Sequence, residues 1–205
     1  MKNIMDMPMT LEEAGRILQF AKRIYPLLNG VYIEYGDTFA YYPNEFKITI
    51  PKKFEDVEAG MNILEHINEE FNADFEYNIK SIYLNALLHE CGHHLDFEGK
   101  IMTNQIEGYM EADCINRGIY EDINKQFSNK VNDYFERLEQ YEALDVVDRD
   151  IEFELEQKRI ELAQEDYEID MLYRMIPTEY AADEFSARFF MTYLRPYKKC
   201  NYDVI

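Results

Sequence analysis

Two histidines four residues apart, with a glutamate directly after the first, narrow what this 205-residue chain can fold into more than any other feature. His89-Glu90-Cys91-Gly92-His93 can act as a unit only on a helix, where residues four apart lie nearly over one another and both imidazoles can point at one ion. The flanking residues supply such a helix. Leu84, Leu88, Cys91 and Leu95 form an apolar stripe running from about Ser81 to Phe97, and Gly99 is placed to close it as a left-handed cap. Glu90 lies about 100° round the helix from His89, beside an ion held by the pair and not among its ligands. A base must stand there to take a proton from a water that zinc has acidified from a pKa of ~15.7 towards ~7. Gly92 costs about 1 kcal/mol in a helix interior relative to Ala, which close approach of another backbone would explain. Cys91 faces away from the ligands and reads as a small buried residue. His94 points off the metal face, as an exposed histidine or one behind the ligands.

A third ligand is required if one position is to stay open for water. A third-histidine extension of the motif would need Gly at 96 and His at 99, where this chain has Asp96 and Gly99. A carboxylate remains. Glu179-Tyr-Ala-Ala-Asp183-Glu-Phe185 falls in a helix that starts after Pro177 and is ended by Pro196. Glu179 and Asp183 share one face of it, so one can bind metal while the other accepts a hydrogen bond from a liganding imidazole. Glu107 and Glu111 are competing acids nearer in sequence.

The rest of the chain reads as helices around little sheet. Thr10 and Glu13 make a capping box for a helix to Tyr25, stopped by Pro26 and Asn29-Gly30. Val31 to Tyr35 and the alternating Phe46 to Ile50 are the two strand candidates, and Phe54 to Phe71 is helical by period. A weaker helical stretch covers Ile106 to Phe127. Phe185, Phe189, Phe190 and Tyr193 are expected in the core; Tyr180, Tyr193, Arg188 and Arg195 are the candidate donors to an oxyanion. His66 is expected at the surface.

Charge excludes some partners. With 41 Asp and Glu against 21 Lys and Arg, the formal charge is −20, and the densest basic stretch is Lys198-Lys199 near Arg195. Such a chain repels phosphate backbones, so nucleic acid is not an expected partner. No apolar run approaches the ~20 residues of a membrane span. The opening residues lack the apolar core of a signal peptide, and three cysteines without a C-x-x-C pair suit a reducing cytoplasm. Residues 133–170 hold 15 acidic and 4 basic residues, yet Tyr134, Leu138, Tyr141, Leu144, Val147, Ile151, Leu155, Leu162 and Ile169 recur mostly at helical steps. An acidic amphipathic helix or helical hairpin is expected there, as a solvated face or as a dock for a basic protein.

The two motifs together resemble the gluzincin zinc peptidases, and most closely the small intracellular ImmA/IrrE-type metallopeptidases, whose second motif reads E-x-x-A-[N/D]-x-F-A. The resemblance covers about a third of the chain. It implies one Zn2+ held by His89, His93 and Glu179, Glu90 as general base, and Asp183 bonded behind a ligand. It also implies that Phe46 to Ile50 is an edge strand to which an extended substrate adds antiparallel. Eighty-five residues separate His93 from Glu179, against a few tens in typical members, and the family's frequent helix-turn-helix partner is absent. The expectation is therefore an α+β, mostly helical, zincin-like domain over residues 1–205, with a small sheet behind the active-site helix and an acidic helical insertion at about 128–173. Its expected activity is cytoplasmic, zinc-dependent endopeptidase cleavage of a protein. The rival is an acidic interaction module, with nucleic-acid mimicry as one form of it, in which the zinc is structural.

Overall fold

Thr10 opens the first helix with both halves of the capping box. In the computed structural model, which describes residues 7–142 and 149–200, Glu13 N–H donates to Thr10 Oγ1 at 3.2 Å and Thr10 N–H to Glu13 Oε2 at 2.7 Å. Helix α1 (Leu11–Ile24) buries Ala14, Ile17, Leu18 and Ala21, and a 3-10 turn at Pro26–Gly30 follows. Asp56 caps α2 (Val57–Phe71), which ends on Asn72 in the left-handed region.

Three short strands lie between these helices: β1 (Tyr32–Gly36), β2 (Ala40–Tyr42) and β3 (Lys47–Pro51). Their order is β1-β3-β2, with β1 parallel and β2 antiparallel to β3. The expected edge strand is thus the centre of the sheet. The alternation of Phe46 to Ile50 suggested one wet face, but Ile48, Thr49, Ile50 and Pro51 are all buried. Thr49 stays dry by donating its hydroxyl to Thr38 O at 2.9 Å. β2, three residues long, carries too little period to be found from sequence.

Helix α3 (Ile79–Met102) runs further than its apolar stripe suggested and is buried on nearly every side. Gly99 lies inside it, not at its cap. The chain leaves the helix through Asn104, at φ 56°, with Gln105 N–H on Lys100 O at 2.8 Å and Asn104 N–H on Ile101 O at 3.0 Å. Near its start, Lys80 Nζ sits 2.5 Å from Glu13 Oε1, tying α3 to α1 by a largely buried ion pair. The core of this part gathers Ile17, Leu18, Leu64, Tyr83, Leu87 and Phe190.

Two long helices follow, α4 (Tyr109–Glu142) and α5 (Arg149–Arg174), then α6 (Pro177–Phe189) with Pro at its first position. A π-helical turn, Phe190–Leu194, and a 3-10 turn, Arg195–Cys200, replace the last stretch expected of a single helix up to Pro196. The chain divides into two compact units: Met1–Asp113 with Thr178–Ile205, and Cys114–Pro177. In the second, Lys130 pairs with Glu165 at 2.5 Å and Arg137 with Glu154 at 2.7 Å, the inverse order that an antiparallel helical hairpin requires. Within the expected acidic segment, residues 133–142 and 149–170 are therefore helical. Leu144 and Val147 lie outside the described residues. Predominantly helical with a small three-stranded sheet, the protein is α+β, and none of its described helices is long and apolar enough to cross a membrane.

Candidate metal centre

α3 and α6 meet along a seam of polar and small side chains. Ser186 Oγ donates to Asn85 Oδ1 at 2.7 Å, His89 Nδ1 donates to Asp183 Oδ1 at 2.7 Å, and Glu179 reaches both His89 and His93. Moving up α3 moves down α6, one turn at a time, as two antiparallel helices dictate. Gly92 permits the approach. A Cβ there would lie 2.7 Å from Ala182 Cα and 3.0 Å from Ala182 O, so no side chain fits without moving α6. The glycine that weakens α3 as a helix is what lets Glu179 and Asp183 come within reach of the histidines.

Glu179 Oε2 lies 3.2 Å from His89 Nε2 and 3.4 Å from His93 Nε2. For an ion held tetrahedrally at about 2.0–2.1 Å, adjacent donors stand about 3.3 Å apart. Two imidazole nitrogens and one carboxylate oxygen at these separations fit a divalent metal, and among the described residues this is the one group of three or more His, Cys, Asp or Glu able to hold one. Comparison with protein-family models, curated proteins and solved structures returns no match.

The electrostatics of the centre follow from burial. Glu90, Glu179 and Asp183 are all buried, the last two bonded to the imidazoles and Glu90 acting on His89 through its charge, in a place with little water. Burial alone would lower the pKa of His89, but its hydrogen bonds to Asp183 and Glu179 overcome that and lift it to about 10. Burial would raise Glu179, yet the same two histidines hold its carboxyl well below the ordinary carboxylate range. A dication at the three donors would serve the carboxylates as protons on the imidazoles do in its stead. His93 packs its ring on Phe97 and has no hydrogen-bond partner at Nδ1, so unlike His89 it is oriented by packing and by Glu179 at Nε2, with no bond from behind.

The structure also sorts the weaker candidates. Glu107 and Glu111 are exposed and engaged with each other, Glu107 N–H donating to Glu111 Oε2 at 2.7 Å; neither joins the cluster. His94 does point off the metal face, but it is neither exposed nor bonded to a ligand. It is buried, with Nδ1 accepting from Tyr41 Oη at 2.6 Å and Nε2 donating to Leu27 O at 3.0 Å. Desolvation lowers its pKa, which suits this neutral role as a core histidine. Cys91 is buried and burial pushes its thiol up, so it is no nucleophile; Cys114 is a free, exposed thiol. His66 is half-buried.

All four candidate oxyanion donors are held elsewhere. Tyr180 Oη donates to Glu70 at 3.1 Å, Arg188 pairs with Glu184 at 2.7 Å and Arg195 with Asp74 at 3.0 Å. Tyr193 shares a hydrogen bond with Tyr25. Phe189 and Phe190 are core, with Phe185 and Tyr193 packed against it. The residues that sequence alone missed are Asn85, Ser186 and Tyr41. Gly92, costly where it stands, and the small residue Ala182 of the second motif hinted at the seam that Asn85 and Ser186 extend.

Proposed function

We propose that this chain is a zincin-like zinc endopeptidase, similar to the small intracellular peptidases that its two motifs resemble, cleaving a peptide bond in a cytoplasmic protein. The observation that carries this reading is the spacing of His89 Nε2, His93 Nε2 and Glu179 Oε2 at 3.2 and 3.4 Å, with Glu90 buried close to His89. Those three atoms would hold the ion. When bound, zinc supplies a Lewis acid that polarises a carbonyl and makes water ionisable near neutral pH.

The chain supplies the remaining steps. Asp183 accepts from His89 Nδ1 and so keeps the Nε2 lone pair directed at the centre. Glu90 takes a proton from the water attacking the scissile carbonyl and passes it to the leaving amine. An extended substrate would pair along β2, since β3 has a neighbour on each side and α1 lies against β1, with Leu11 N–H donating to Tyr35 Oη at 3.2 Å. β2 is also the edge nearer the ligands: the Tyr41 ring lies 6.2 Å from Phe97, which stacks on His93 at 6.0 Å.

Glu90→Gln is expected to keep full zinc content and lose cleavage by about 10²–10⁴-fold, read by mass spectrometry on a peptide library. Undiminished proteolysis in that variant would reject Glu90 as the base. Glu179→Ala should lose the metal while Glu107→Ala and Glu111→Ala keep it, measured by elemental analysis of the purified proteins. If instead charge reversal within residues 133–170 abolishes biological function and Glu90→Gln leaves it intact, the acidic hairpin makes this a binding protein with a structural metal.

A further inference from the structure

Helix α5 is apolar on two opposite sides. Leu155, Leu162 and Ile169, seven residues apart, form one stripe and are buried. Phe153 and Ile160, also seven apart, form a second stripe half a turn away, and they are 66% and 50% exposed. Met171, half-buried, continues that outer stripe along the helix. A helix with one apolar side has its burial accounted for; a second apolar side awaits something to cover it.

The rims of this stripe decide what that is. Arg149–Arg174 holds nine acids and four bases. By helical angle, Glu154, Glu161 and Glu168 line one flank, and Glu152 and Glu156 the other; all five are exposed. Arg159 and Lys158 pair with Glu156 and Glu161 at 2.7 and 3.0 Å, and Arg137 with Glu154, which leaves the face net negative. A second copy of a chain carrying −20 would bring like charge against like. An amphipathic helix with a Lys- or Arg-rich margin to its apolar face matches both the stripe and its rims.

We infer that the outer face of α5, centred on Phe153 and Ile160, docks a basic amphipathic helix of a partner protein. This surface is independent of the metal centre and stands or falls separately from the peptidase reading. The test uses the full chain and two synthetic 18-residue helical peptides of one apolar pattern, one with Leu and Lys, the other with Leu and Glu, read by fluorescence anisotropy. The Leu/Lys peptide should bind, weaken as salt rises, and lose about tenfold or more in affinity against Phe153→Ser/Ile160→Ser. Equal binding of the Leu/Glu peptide to the wild type, or unchanged affinity in a double variant whose circular-dichroism melt matches wild type, would overturn the proposal. The first comparison needs no variant and stands even if the double variant unfolds. Self-association by sedimentation that Phe153→Ser/Ile160→Ser abolishes would also overturn it, by giving the face to a second copy.

Discussion

Asp183 is the residue whose hydrogen bond to His89 does the most for the centre. Its Oδ1 fixes which nitrogen of His89 carries the proton and which can face an ion. Asp183→Asn, similar in size but without the charge, should weaken zinc affinity about 10–100-fold in a chelator competition while leaving the metal stoichiometry reachable at excess zinc. Tyr41 acts on the other side of the motif, where its hydroxyl is the partner of His94 Nδ1. Tyr41→Phe leaves that buried nitrogen unsatisfied and should cost about 1–3 kcal/mol in urea unfolding, with metal content unchanged. The Glu13–Lys80 pair gives a pH signature. Burial works to raise Glu13, but Lys80 and the Thr10 bonds outweigh it and leave its pKa lowered from the ordinary 4.5. A depressed carboxyl adds stability above its unfolded-state pKa and loses it as pH falls through the folded value. Glu13→Gln should therefore lower stability at pH 7 and flatten the acid limb of the stability curve below pH 4.5.

At the scale of elements, the close crossing of α3 and α6 is the feature on which the centre depends. Alanine in place of Gly92 would raise helix propensity by about 1 kcal/mol, and on a free helix it would stabilise. Here its Cβ meets the backbone of Ala182 at 2.7 Å, and backbone cannot step aside as a side-chain tip can. Gly92→Ala should destabilise by about 1–3 kcal/mol net and reduce zinc affinity, because α6 must withdraw Glu179 and Asp183 together. A stabilised variant with intact metal binding would show that the helices separate freely. The helices themselves were legible in the sequence, since capping boxes and apolar periods are local. Of the sheet, the strands at Val31 to Tyr35 and Phe46 to Ile50 were legible, but not β2 or the order. Phe46 to Ile50 has a half-buried pattern and yet lies centrally, with Thr49 kept dry by an internal acceptor for its hydroxyl.

For the molecule as a whole, the centre and the hairpin make opposite demands on charge. Buried carboxylates at the centre call for a cation, so zinc should stabilise the fold by about 2.7 kcal/mol at a hundredfold excess over its dissociation constant, seen as a rise in melting temperature absent from Glu179→Ala. Most of the described acids of the hairpin are exposed, where water solvates them. Sequence by itself determined the helices, the pairing of His89 with His93, and the nomination of Glu179 and Asp183, since helical spacing alone puts such groups on a common face. It also located the acidic helical segment. Tertiary structure decided that Glu179, and neither Glu107 nor Glu111, stands at the histidines, that β3 is central, and that His94 is buried. Local sequence sets which way a side chain leaves its own helix or strand; which element faces it is settled by contacts between residues far apart in the chain, such as Gly92 and Ala182.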